Sequence, residues 1–359
     1  MKITRTHIIT ALKVVISCAF FAILLSFVQG NELLKMVARI DWLYLALSFL
    51  LIPVMLSTSC LKWKVILGSR AKHVSFFELL RIYTVGYFFS NLLPSTVGGD
   101  VIRSYYSGRL LDNQAFAAVS IFVERFTGIF LLFFLVILAP LFSPGLYASP
   151  YIYVPACAGF FLVTLTIWMW KVENPLALPE KILGLTFATL YRLTSPKFFS
   201  VFRKGVIALE KGCFRILKRL GTVRKEFLFA AETLRGDRIY LAKVLLLTVL
   251  FYVLTWVNVY LSFRAFGVHP DFLGVCALVP AILFAAHVPV TLLGNLGYFE
   301  SVFVFYFLLI GIPGAETLAM GLLLRAKMLT IGLVGFFMYL FYTYKPREEF
   351  KDLQEFVKK

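Results

Sequence analysis

Charged residues are scarce in this sequence, and acidic residues are the scarcest of them. Only 15% of the 359 residues are charged, whereas a soluble domain carries about 25%. Hydrophobic residues make up 60% of the chain, and the mean hydropathy is +0.85. Water cannot solvate a chain of this composition on all sides, which excludes an ordinary soluble domain.

Residues that bind metals or form disulfides are few and scattered. The five cysteines stand mostly inside apolar segments, and no two of them form a C-x-x-C pair. The four histidines are isolated, and no H-E-x-x-H motif occurs. A nucleotide-binding motif is also absent. The sequence therefore predicts no cofactor, no metal site and no disulfide framework.

Long apolar runs are what the sequence has in abundance. They cover residues 8–28, 42–61, 112–142, 150–171, 239–262 and 315–343. Each run is long enough to cross the ~30 Å hydrocarbon core of a bilayer. The first run is longer than the apolar core of a secretion signal, and no small-residue cleavage site follows it, so we expect it to be retained. The predicted fold class is an all-α polytopic membrane protein with about six full transmembrane helices.

Positive charge is concentrated in particular segments. The net charge is +17, and residues 171–238 hold fourteen Lys or Arg against six Asp or Glu. By the positive-inside rule this segment and both termini lie in the cytoplasm, and the cluster of lysines and arginines at 62–72 marks the cytoplasmic end of the second run. A basic face suits the anionic leaflet of the cell (inner) membrane. We therefore expect lipids, and no nucleic acid, as partners.

Two further segments, 75–109 and 271–312, are apolar but interrupted by glycine, proline and charged residues. If either one crossed the membrane completely, the number of crossings would disagree with the charge distribution. We predict that both are re-entrant hairpins, which are tolerated at membrane depth only where protein or a wet cavity covers them. The expected organisation is a first membrane half, a basic amphipathic linker, a second membrane half and a charged tail, at residues 1–170, 171–238, 239–344 and 345–359.

The two membrane halves repeat each other. Asp100 precedes Arg125 by 25 residues, and Glu300 precedes Arg325 by the same distance. The hairpin motifs PSTVGGD and PVTLLGNLGYFE also correspond. Chance matching of apolar sequence is the alternative, but charged and glycine positions match as well as apolar ones. The pattern predicts an inverted-topology repeat, an architecture in which transporters place the substrate site at the repeat interface.

Charged residues inside the predicted spans are candidates for function, because each costs about 2.5–3.5 kcal/mol at the centre of a membrane helix. Glu124 and Arg125 lie near the middle of the third run, while Arg325 and Lys327 lie inside the last one. Such groups must face the protein interior. Two interpretations stay open for them, contact with a substrate and a structural pairing such as Glu124 with Arg325.

The hairpins offer other pairings. Arg125 can meet either Asp100 or Glu300 in a structural pair. Asp100 and Arg103 would form an i,i+3 pair if the segment after the glycines is helical. Each of these pairs would fix the hairpins against the spans.

Glycines in the hairpins are candidates for binding an anion. After Gly98 and Gly99, backbone N–H groups can converge into a nest or a helix N-terminus that suits a lipid phosphate. In the second hairpin Gly294, Asn295 and Gly297 offer the same capacity.

The motifs NLLPSTVGGDVIRSYY and VERFTG, with the later VPVTLLGNLGYFES and GIP, resemble the paired signatures of the lysylphosphatidylglycerol synthase transmembrane-region family, the flippase-like domain. The resemblance extends over roughly residues 40–340 and implies a membrane region that moves a lipid across the bilayer. We expect a small stand-alone member without the synthetase domain. The positions that match the motifs are Asn91, Pro94, Gly98, Gly99, Asp100, Arg103, Glu124, Arg125, Pro289, Gly294, Gly297 and Glu300.

The leading hypothesis is a lipid transporter, not an enzyme, that binds or translocates an anionic phospholipid or a polyprenyl-linked lipid. Its substrate-binding set consists of the motif positions together with Asn295 and Arg325. Arginines would hold the headgroup, and the acids would hold those arginines or titrate to couple transport to protons. The alternatives are an integral-membrane transferase that uses one acid as a base, and a non-catalytic subunit of a lipid-modifying complex. A second copy of the chain is a further candidate partner.

Overall fold

The computed structural model describes residues 38, 40–92, 98–143, 150–172, 176–193, 238–286 and 297–342, with scattered positions between 206 and 225. Within these ranges every regular element is helical, as the sequence predicts. The first apolar run, the charged tail and four predicted site residues lie outside them; those residues are Pro94, Pro289, Gly294 and Asn295.

The helices begin and end close to the boundaries of the predicted runs. They are α1 (Trp42–Leu67), α2 (Phe76–Leu92), α3 (Gly98–Leu110), α4 (Gln114–Phe142), α5 (Pro150–Lys171), α6 (Ala177–Leu193), α7 (Arg238–Arg264), α8 (Phe272–Ala286), α9 (Tyr298–Leu308) and α10 (Gly314–Tyr342). Helices α1, α4, α7 and α10 are long and apolar enough to cross a membrane, and α5 contains a shorter apolar stretch. The chain is a multi-pass membrane protein.

The chain forms two compact units. One contains residues 1–160 and 239–359, and the other contains residues 161–238. In the second unit, α6 carries Leu178, Ile182 and Leu185 on one exposed face. The first unit contains all of the predicted site residues that the structure describes.

Polar contacts bring the start of α1 to the end of α7. The Asp41 carboxylate caps α1 by accepting hydrogen bonds from the N–H groups of Leu43 and Tyr44, at 2.9 and 3.3 Å. The Asp41 N–H donates to the carbonyl of Ala265, just after α7, at 2.9 Å. Further along α1, the sulfur of Met55 meets the amide of Asn258 at 3.8 Å.

Residue numbers therefore rise along α1 while they fall along the part of α7 beside it, so the two helices run antiparallel. Each is the first long helix of its half, and each is followed by two short helices and a second long helix. Opposite directions for the first helices are what an inverted-topology repeat requires.

The two short helices of the first half, α2 and α3, touch backbone to backbone. A Cβ atom on Gly99 would lie 2.3 Å from the carbonyl oxygen of Gly86 and 2.0 Å from Oγ of Ser90. Only a residue without a side chain fits in this space. Gly99 therefore has a packing role, while Gly98 begins α3.

Helix α2 also packs closely on α10, the last helix of the other half. A Cβ on Gly335 would lie 2.3 Å from the carbonyl oxygen of Thr84. The Asn91 amide donates to the carbonyl of Met328 at 2.9 Å. The first hairpin is therefore held by both halves of the repeat.

Candidate functional site

A cavity of about 330 Å³ lies in the first unit, between helices of both halves. It touches Gly128 of α4, Phe251 of α7 and Met328 of α10, and each of these residues is the midpoint of its helix. The cavity therefore lies halfway along three helices long enough to span a bilayer. Transporters built from inverted repeats bind their substrates at this level.

A fully buried ion pair forms one wall of the cavity. Arg103 of α3 donates to the carboxylate of Glu124 at 2.5 Å, and each side chain is only 5% exposed. The Tyr83 hydroxyl donates to the other carboxylate oxygen at 2.8 Å. The Arg103 guanidinium also lies over the rings of Trp63 and Tyr83, at 4.5 and 3.9 Å. These contacts fix both charges in the protein interior.

A second ion pair lies beside the first and is more open. Arg125 donates from Nη2 to Asp100 Oδ1 at 3.0 Å and also contacts the second carboxylate oxygen through Nε. The Arg125 side chain is 42% exposed, whereas that of Asp100 is 14% exposed. Asp100 also lies 3.6 Å from Arg103, the predicted i,i+3 contact. Arg125 is therefore the cation that the cavity exposes most clearly.

Lys62 brings a third cation to the cavity wall. Its ammonium donates to the backbone carbonyl of Glu124 at 3.1 Å, and the residue is 7% exposed. The sequence used Lys62 only to mark the cytoplasmic end of a span, whereas in the structure α1 continues to Leu67 and this side chain contacts α4.

The corresponding pair of the second half lies next to the cavity. Glu300 accepts from Arg325 at 2.8 Å and from the Gly297 N–H at 2.7 Å. Arg325 also lies 5.5 Å from the ring of Phe299, which lines the cavity. Asp100 and Glu300, the acids that follow the hairpin glycines, therefore each pair with the arginine 25 residues later.

The structure decides between the pairings that the sequence left open. Arg125 binds Asp100. The pairing of Glu124 with Arg325 was wrong, because Glu124 pairs with Arg103 and Arg325 pairs with Glu300.

Apart from Gly98 and Gly99 at the start of α3, the predicted site residues that the structure describes fall into two groups. Asn91, Asp100, Arg103, Glu124 and Arg125 line the cavity, whereas Gly297, Glu300 and Arg325 form the neighbouring cluster.

Sequence reasoning missed part of the cavity wall, namely Lys62, Tyr83, Tyr87, Phe251, Tyr252 and Phe299. For an aromatic residue in an apolar helix, the sequence does not tell whether the side chain faces a cavity or the lipid. Among the residues that the structure describes, no group of three or more His, Cys, Asp or Glu could hold a metal ion.

Comparisons with known proteins agree with this architecture. UPF0104 membrane protein MJ1595 of Methanocaldococcus jannaschii is 26% identical over 176 residues, which are 47% of this chain and 50% of that protein. The chain thus matches about half the length of that curated relative. No solved structure matches the chain. The family model of the lysylphosphatidylglycerol synthase TM region matches residues 10–335, and the chain therefore belongs to that family.

Proposed function

We propose that this protein binds an anionic membrane lipid by its headgroup and moves it across the bilayer. The observation that carries the proposal is the arginine-bearing wall of the cavity, which the first half of the repeat forms. Among the described residues that line it, the bases Lys62, Arg103 and Arg125 outnumber the acids Asp100 and Glu124. A site of this kind favours an anion over a cation.

Two of the cations have donors suited to a phosphate or carboxylate. The Arg125 guanidinium is partly exposed to the cavity although it binds Asp100. The buried Nε of Arg103 has no hydrogen-bond partner among the described residues. A planar guanidinium binds such groups through two parallel hydrogen bonds, which a lysine cannot provide.

The second half contributes an apolar wall to the same cavity. Phe251, Leu283, Ala286, Phe299 and Met328 line it. The two hydroxyls on this side donate to backbone carbonyls, Tyr252 to Gly128 and Thr248 to Val244. A charged wall that faces an apolar wall suits an amphiphile, whose headgroup would meet the arginines while its apolar part lies against the aromatic rings.

Transport fits these ion pairs better than lipid modification does. A general base must accept a proton from its substrate, but Asp100 and Glu124 are each held in contact with an arginine. We place the protein in the cell membrane with both termini in the cytoplasm, because of the basic segment and tail. The substrate class is an anionic phospholipid or a polyprenyl-linked lipid, and the protein requires no cofactor.

The proposal is tested with purified protein in liposomes that contain a fluorescent anionic phospholipid or its zwitterionic analogue. We expect faster redistribution of the anionic lipid between leaflets than in protein-free liposomes, with a smaller effect on the zwitterionic one. Arg125→Gln should remove most of this acceleration, whereas Arg109→Gln, an exposed arginine of α3 outside the cavity wall, should keep it. A chemically new lipid would indicate a transferase instead, and an inert protein would indicate a subunit of a complex.

A further inference from the structure

Lys327 is buried among neutral groups, whereas each acid of the site contacts an arginine. It lies on α10 and is 2% exposed. Its ammonium nitrogen contacts Oδ1 of Asn258 and Oγ of Ser262, both on α7, at 2.7 Å each. The ring of Phe49 on α1 lies 5.7 Å away. All three neighbours are neutral.

Charged groups on the surrounding elements are engaged elsewhere. On α9, Glu300 binds Arg325. On α7, Arg264 donates to the hydroxyls of Tyr44 and Tyr260, at 2.9 and 3.4 Å. On α1, Lys62 donates to a carbonyl of α4. Among the residues that the structure describes, no carboxylate lies within ion-pair distance of Lys327.

The acids of the site each have a cation as partner. Asp100, Glu124 and Glu300 each contact an arginine, and arginine keeps its proton in proteins. The sequence hypothesis that these acids titrate during transport stays a prediction.

Lys327, unlike these acids, has no ion-pair partner among the residues that the structure describes. Burial of an ammonium without a counter-ion is costly, and such a group gives up its proton instead. A neutral amine keeps two N–H donors, so it can still donate to Oδ1 of Asn258 and to Oγ of Ser262, whose own proton goes to the Asn258 carbonyl. We propose that Lys327 carries a proton, which it releases in this enclosed conformation and takes up when the crossing of α7 and α10 opens to water. This inference rests on the proposed function, because the proton would be coupled to lipid movement.

The repeat indicates how the crossing opens. Lys62 lies at the corresponding crossing of the first half, between α1 and α4, and it lines the cavity. With Arg125 aligned on Arg325, Lys62 aligns on Ser262, a partner of Lys327. In an inverted repeat the two halves move against each other around the site. When the second half takes the form that the first has here, Lys327 lies at a cavity wall.

A first experiment determines the protonation of Lys327 without any transport assay. If the amine is neutral when folded and charged when unfolded, unfolding takes up a proton and stability rises with pH. We expect the unfolding midpoint of the purified protein in detergent to rise from about pH 6 to about pH 9, since an unfolded lysine keeps its proton up to about pH 10.4. Lys327→Met should reduce this rise by the contribution of one lysine, whereas Lys72→Met, at an exposed site, should keep it. If the unfolding midpoint rises equally with pH in the parent and in Lys327→Met, the inference is overturned.

A second experiment measures coupling in liposomes under an imposed pH gradient. We expect the gradient to change the rate of anionic-lipid redistribution by the parent and by Lys72→Met, and to have no effect on Lys327→Met. A variant that still redistributes lipid and responds to the gradient like the parent would refute coupling. A parent that moves no lipid would refute the proposed function and coupling with it, while the stability slope would still show whether Lys327 exchanges a proton.

Discussion

Replacement of Arg103 by methionine would remove the cation that neutralises Glu124 halfway along the spanning helices. Both side chains are 5% exposed, and their closest N–O distance is 2.5 Å. Methionine fills much of the space. Of the two side chains that donate to the Glu124 carboxylate, however, only Tyr83 would remain. Removal of one member of a buried ion pair costs about 3–5 kcal/mol, so we expect the free energy of unfolding to fall by about that amount.

A second substitution should reverse most of this loss. Glu124→Gln in the Arg103→Met background removes the unpaired charge and still offers Tyr83 an acceptor. A buried ion pair contributes little net stability when both charges are removed together. Arg109→Met is the matched control on the same helix. Its exposed guanidinium lies 4.7 Å from the Tyr105 ring, and loss of such a contact costs about 0.5–1 kcal/mol.

Reversible unfolding in mixed micelles with an increasing fraction of denaturing detergent measures these free energies. The expected order of stability is parent, Arg109→Met, the double variant and then Arg103→Met. If Arg103→Met costs no more than Arg109→Met, the carboxylate does not depend on Arg103. If the double variant is no more stable than Arg103→Met, the loss comes from packing and the reasoning from charge is wrong.

Gly99→Ala should destabilise the protein by about 1–3 kcal/mol, as overpacking does, because the new Cβ would lie 2.3 Å from the carbonyl oxygen of Gly86. Gly184→Ala, with nothing within 4 Å of its Cβ, should keep or slightly raise the unfolding midpoint, because alanine is the better helix former, and equal midpoints for both variants would contradict the close contact. Single cysteines at Ser149 and Ser195 in a cysteine-free chain should react oppositely with an impermeant thiol reagent in intact cells, because Ser195 lies in the most basic segment. Equal labelling would exclude the predicted topology.

The spans could be predicted because hydropathy along the chain directly reports the need to cross hydrocarbon. The run at 150–171 coincides with α5, and the predicted starts of both hairpins differ by one residue from those of α2 and α8. The pairs Asp100–Arg125 and Glu300–Arg325 were also accessible, since equal spacing of opposite charges in two repeats singles them out.

The inner surface of the site could not be predicted in the same way. Lys62 looked like a residue at the end of a span, because sequence does not tell which side of a helix meets another helix. Glu124 binds Arg103 through a crossing of α3 and α4, and periodicity fixes neither the angle nor the offset of such a crossing. The recurrence of polar positions at the same places in both halves is the signal that could have singled out Lys62 opposite Ser262.

The close contact of α2 with α10 has a consequence for synthesis of the protein. Asn91 and the Met328 carbonyl that it binds are 237 residues apart. At about 5–20 residues per second, the ribosome takes roughly 12–50 s to make the chain between them. For that time α2 would be in the membrane without α10, against whose Gly335 it packs. Chains truncated before α10 should therefore be preferred substrates of membrane quality-control proteases, even though they contain all the charged residues that the structure describes in the cavity wall.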